Sequence, residues 1–163
     1  PDFEALRPGQ GWIFSAMMVC ISMGGELFAG MIKVMKVEKG SIVIYFVAAA
    51  SMLVPILSTD FNVVLCSFLV LETCVGASFG AMATMRSHLL PDALQASIMN
   101  IYRVPLNFFV VAGATLGDYF SPSVVFGVTV SWFFLAGVLQ VWLHQLTKQA
   151  AWQAGQAAKD KSS

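Results

Sequence analysis

The sequence predicts an all-α integral membrane protein, a bundle of about five transmembrane helices. Three observations carry that expectation. Of the 163 residues, 58% are hydrophobic and only 11% charged, against about 25% charged in a soluble domain. Mean hydropathy is +0.76. Apolar runs long enough for the ~20 residues of a bilayer span recur along the chain, separated by short polar turns. In lipid each backbone N–H and C=O must be bonded within its own segment, which makes such runs helices.

Residues 1–10, PDFEALRPGQ, are polar and proline-punctuated and read as a loop with a short helical turn. The first span covers 11–33, with Gly24, Gly25 and Glu26 in its interior; Lys36, Glu38 and Lys39 mark a short loop after it. The second span, 41–58, has no charge, and its Pro55 lies near the end, where a kink costs little. After the turn Thr59-Asp60, the third span covers 61–84 with Glu72 at its midpoint. Gly76 and Gly80 form a GxxxG pair, a spacing that permits close helix approach and that also arises by chance in a glycine-containing apolar run. Arg86 to Pro91 is a turn, and Pro91-Asp92 suits a helix start. The fourth span, 93–117, contains Pro105, which frees the carbonyl of Ile101, and a second GxxxG, Gly113 and Gly117. Ser121-Pro122 reads as cap and first helical position before an uncharged fifth span, 124–144. The Ala/Gln-rich tail 145–163 prolongs that helix for a few turns before fraying.

Formal net charge is zero, but the loop charges are unevenly distributed. The turns after spans one and three, together with the tail, hold Lys36, Lys39, Arg86, Lys148, Lys159 and Lys161, with Lys33 at the border. The opposite side holds Arg7 and the acids Asp60 and Asp118. The positive-inside rule places the lysine-rich side, and with it the C-terminus, in the cytosol; a multi-pass place in the plasma membrane is the expectation, though loop charge does not specify which membrane. The opening Pro1 and the odd number of spans lead to the expectation that further helices precede this chain.

No basic stripe interleaved with aromatics points to nucleic acid. Cys20, Cys66 and Cys74 lie in apolar runs without metal spacing and read as small packing residues. His88 and His144 fall at span ends and read as interfacial. No nucleophile–base pair, metal spacing or paired catalytic acid suggests an enzyme, and no cofactor is expected.

Three ionisable residues lie within spans: Glu26, Glu72 and Arg103. An intramembrane charge costs roughly 2.5–3.5 kcal/mol at a helix centre, so it faces protein or water, and its default reading is functional. Asn100, Arg103 and Asn107, spaced i, i+3, i+7, share a helix face that offers a planar guanidinium fork and two amides. Two structural readings stay open beside the functional one. Arg103 with either carboxylate can form a buried bridge that only fixes packing, and the amides can simply join helices.

Residues 72–107, ETCVGASFGAMATMRSHLLPDALQASIMNIYRVPLN, resemble the molybdate-anion transporter branch of the major facilitator superfamily. The pieces that carry the resemblance are Glu72-Thr-Cys-Val-Gly76, Met85-Arg86, Pro91, and Met99-Asn100 through Arg103-Val-Pro-Leu-Asn107. The resemblance is sharp over that stretch and weaker elsewhere. It implies a twelve-helix secondary carrier of two six-helix halves, of which this chain is the C-terminal part, helices eight to twelve. Helices eight, ten and eleven would border the central cavity, and nine and twelve would pack outside. Arg103 would bind the molybdate oxyanion, Asn100 and Asn107 would donate hydrogen bonds, and Glu72 or Glu26 would gate or carry a proton. Gln95 stands where wider members often carry Arg. The implied partners are the oxyanion, the lipid bilayer and the missing N-terminal half. Two alternatives remain: a carrier of sugars or another small solute, and a non-transporting membrane scaffold with the same fold.

Overall fold

A computed structural model describes residues 9–160 of the chain. Five helices account for nearly all of them: α1 (Gly9–Met31), α2 (Val37–Leu57), α3 (Phe61–Leu89), α4 (Asp92–Tyr119) and α5 (Pro122–Asp160). No strand occurs among the described residues. Four helices are long and apolar enough to cross a membrane, over Gly11–Met31, Val37–Leu57, Phe61–Leu89 and Pro122–Gln153. The fourth of the five expected spans forms as a helix but is not one of these four. Asn100, Arg103, Pro105 and Asn107 dilute its apolar content and concentrate polarity on one side, making α4 the most amphipathic of the five.

Local chemistry sets the helix ends. α2 starts at Val37, earlier than the expected 41, because extended Lys36 is where the chain breaks and the next residues already wind into the first turn. α3 begins on a side-chain cap: Asp60 Oδ1 accepts from the N–H of Asn62 at 2.9 Å and of Val63 at 3.2 Å. It runs past 84 to Leu89 and stops where Leu90, held extended ahead of Pro91, leaves helical geometry. α5 starts at Pro122, as its sequence indicates, but is 39 residues long. At 1.5 Å per residue that is about 58 Å, roughly twice a bilayer's hydrocarbon core, so its last turns stand beyond the apolar layer.

α1 packs along α3, while α2 lies between α3 and α5. Uncharged α2 is packed on two sides in this chain, by α3 and by α5. The core is built of small side chains, Ala48, Ala77, Ala81 and Cys74, with Phe28 and Ile44. Hydroxyls enter this interior because each bonds its own helix: Ser41, 1% exposed, donates to the carbonyl of Val37 at 2.9 Å. The cysteines do not behave alike; Cys74 is buried, Cys20 half-buried and Cys66 exposed.

The α1–α3 seam is a backbone-on-backbone contact. A Cβ on Gly24 would land on the carbonyl oxygen of Thr73, and one on Gly76 on that of Ile21. A Cβ on Gly80 would come within 2.6 Å of the Phe28 ring. Ile21 opposite Gly76 and Phe28 opposite Gly80 advance together, so α1 and α3 run parallel. The first GxxxG is therefore a packing device. The second is not one within this chain, since neither Gly113 nor Gly117 has a neighbour within 4 Å of the position a Cβ would take.

α4 is held lightly. Arg86 at the end of α3 donates Nη1 to Met99 Sδ at 2.7 Å, and Phe109 meets Trp132 of α5 edge-on with centroids 5.4 Å apart. Positions 101–111 all remain exposed except for such edge contacts.

Candidate functional site

Each candidate residue sits on a helix, as its sequence setting indicates, but the five do not converge. Glu26 stands on α1 two residues past the Gly24 contact, exposed on the wall of an open groove of about 1230 Å³ between α1, α2 and α3. Met18, Met23, Leu27, Val43 and Val47 make that groove apolar, and Thr73 adds a hydroxyl to its wall. The hydroxyl is already used, donating to the carbonyl of Leu69 at 2.9 Å.

Glu72 precedes Thr73 on α3 and is half-buried outside the groove lining. The parallel seam fixes its height relative to Glu26. Glu72 lies four residues before Gly76, while Glu26 lies five after Ile21, the residue facing Gly76. At 1.5 Å per residue the two carboxylates are on the order of 10 Å apart along the bundle.

Asn100, Arg103 and Asn107 form one stripe along α4, and all three are exposed. Neither Glu26 nor Glu72 pairs with Arg103 among the described residues. The expected approach of Arg103 to a carboxylate is thus not made among the described residues. α4 leans on α5 rather than on α1, the helix that carries Glu26. A guanidinium, two amides and two carboxylates are present, but in three places: an apolar groove, the flank of α3 and an uncovered helix face. The i, i+3, i+7 reading of the α4 stripe holds, because it depends only on helical geometry.

Sequence reasoning passed over Gln140. It lies in the run taken as uncharged apolar span, yet it is only 7% exposed and donates Nε2 to Met85 Sδ at 3.3 Å, tying α5 to α3. Its signal was available: a lone amide in an apolar helix turns toward protein, as Asn and Arg do. Nearby, Gly137 lets the Phe46 ring approach within 3.1 Å of where a Cβ would sit, and Phe46 meets Phe134 edge-on at 5.6 Å. These contacts fix α5 against α2. The α1–α2 turn, the end of α3 and the later turns of α5 gather at one end of the bundle, as the loop charges indicate. The α1–α2 turn shares one cleft with His88 and Leu89 of α3 and another with His144 and Lys148 of α5.

Among known proteins, no family model, no curated protein and no solved structure matches the chain.

Proposed function

We propose that the chain is part of a multi-pass membrane secondary transporter whose cargo is a tetrahedral oxyanion, molybdate, taken up across the plasma membrane with the C-terminus cytosolic. One observation supports this most: the uncovered polar face of α4, with Asn100, Arg103 and Asn107 exposed along a 28-residue helix. A guanidinium at that depth does not face lipid, so in a bilayer the stripe borders either water or another polar protein surface. A cavity between two helix bundles supplies both. Arg103 would bind the anion through its fork, and the two amides would add hydrogen bonds. Glu26, on its apolar groove, and Glu72 would serve gating or proton coupling. Pro105, two residues past Arg103, loosens the local ladder, as in helices that line transport paths.

A second reading has an observation of its own. The spans hold two carboxylates and one guanidinium, which by themselves are no trap for a dianion and leave room for a neutral solute such as a sugar.

The test is molybdate uptake by the full-length protein in transport-deficient cells, with sugars and sulfate as competitors. Arg103→Lys keeps the charge and loses the bidentate fork. The oxyanion reading expects normal expression with uptake reduced about tenfold or more, the scale of one lost charge-assisted hydrogen bond. Full uptake with Arg103→Lys at normal expression would remove Arg103's fork geometry from the substrate site and leave the salt-bridge reading standing. Competition by sugars and not by oxyanions would transfer the proposal to the second reading.

A further inference from the structure

The strongest unassigned feature is the cleft where the α1–α2 turn meets the end of α5. It has a volume of about 570 Å³ and is lined by Lys36, Lys39 and Lys148, with His144, Thr147 and Glu38. Three lysines thus border this small space with one glutamate. None of the three lysines is ion-paired among the described residues. The His144 ring is a wall of this cleft, and its Nδ1 is buried without a hydrogen-bond partner. That leaves Nε2 as the accessible ring nitrogen, a donor when it carries the ring proton. Thr147 Oγ1 donates to the carbonyl of His144 at 3.0 Å, so its lone pairs, not its proton, are left for a guest. The α2 helix begins here with Lys36 as N-cap and no side-chain cap bond. The Lys39 and Gly40 N–H groups donate to the Lys36 carbonyl, which leaves those of Val37 and Glu38 and the positive end of the helix dipole to add to the field at this end. Val34, Met35 and Ala151 supply an apolar edge.

From this geometry we infer that the cleft is a binding site for a phosphate-bearing anion. Lysine ammoniums, an imidazole donor and a helix N-terminus are the groups that hold phosphate oxygens. The apolar edge and the position at the ends of apolar helices favour the headgroup of an anionic phospholipid over free phosphate. The inference uses the membrane reading of the helices and is independent of transport, so a binding measurement separates its failure from that of the oxyanion carrier.

The experiment uses the purified protein in neutral detergent. Native mass spectrometry measures retention of phosphatidylglycerol and of a phosphoinositide against phosphatidylcholine. Calorimetric titration with inorganic phosphate forms the second arm. Lys36→Gln, Lys39→Gln and Lys148→Gln are each expected to lower affinity about fivefold, and the three together on the order of a hundredfold. His144→Leu, which leaves the lysines in place, is expected to lower it about fivefold. Lys33→Gln removes a charge of the same end that lies outside the cleft and is expected to do less than any cleft lysine. Thermal melting of every variant confirms that it is folded. Loss of lipid retention in this pattern assigns the headgroup, while the same pattern with phosphate alone assigns the free anion. Absence of anion binding by the parent protein overturns the inference. So do equal losses for Lys33→Gln and each cleft lysine with none for His144→Leu, which would reduce the effect to diffuse surface charge.

Discussion

Changing Gly76 to Ala tests the α1–α3 seam directly. The added methyl would overlap the carbonyl oxygen of Ile21. That atom belongs to a helical backbone and cannot rotate away, so α1 must move. A shift of about 1 Å forfeits roughly a quarter to a half of the dispersion attraction along the contact. Phe28, Cys74, Ala77 and Ala81 all lie in the core that this contact closes. Overpacking of this kind costs about 1–3 kcal/mol, and more where the neighbour is rigid. Alanine returns about 1 kcal/mol through helix propensity, so a net loss of up to about 2 kcal/mol is expected, and more to the extent that the rigid Ile21 carbonyl raises the overpacking cost. Gly24→Ala, which meets the carbonyl oxygen of Thr73, should behave alike. Gly25→Ala, one residue along the same helix, has nothing within 4 Å and keeps only the propensity gain. Cys74 provides the readout, being buried in that core while Cys66 is exposed and Cys20 half-buried. With Cys20 and Cys66 changed to Ser, a thiol-reactive dye reports the temperature at which the α1–α3 core opens. At about 2–4 °C per kcal/mol for a chain of this size, Gly76→Ala and Gly24→Ala should melt several degrees below the parent and Gly25→Ala at or slightly above it. Coincident melting of all three would refute the close-contact seam.

The same assay reads two further changes. Asp60→Ala removes the two N-cap bonds of α3 and should cost about 1 kcal/mol, while Asp60→Asn should recover most of it. Gln140→Leu, which exchanges one weak donor–sulfur bond for apolar contact, should stay within about 1 kcal/mol of the parent. Gln140→Glu, at 7% exposure, places an unpaired carboxylate in the α3–α5 contact and should destabilise by about 3 kcal/mol or more. Melting of Gln140→Glu with the parent would show that this amide is not enclosed. For the orientation, cysteine placed at exposed Ser87 should resist an impermeant maleimide applied outside intact cells and react after permeabilisation; strong labelling from outside would reverse the topology.

The sequence by itself determined the helices, because what makes them is local. Run length, Pro91 and Pro122, and the Asp60 cap act within a few residues. The number of helices follows from these signals, and the ends differ from expectation by only a few residues in α2 and α3. The polar stripe of α4 was equally legible, since three residues on one helix share a face whatever surrounds them. The extension of α5 through Asp160 was underread: an Ala/Gln-rich tail has high helix propensity without any apolar pattern to mark it.

Tertiary structure decided what touches what. Two GxxxG pairs look identical in the chain, yet Gly76 and Gly80 press on α1 while Gly113 and Gly117 meet nothing. Spacing fixes a face and says nothing about which neighbour it finds. Arg103 carries a charge that demands a partner, but the lean of α4 onto α5 leaves it uncovered in this chain. Lys36 and His144 are far apart in sequence and line one cleft only because α2 packs between α3 and α5 and brings the α1–α2 turn beside the end of α5. Such contacts depend on which side chains fill the space between helices, a property of helix pairs that no single run of residues contains.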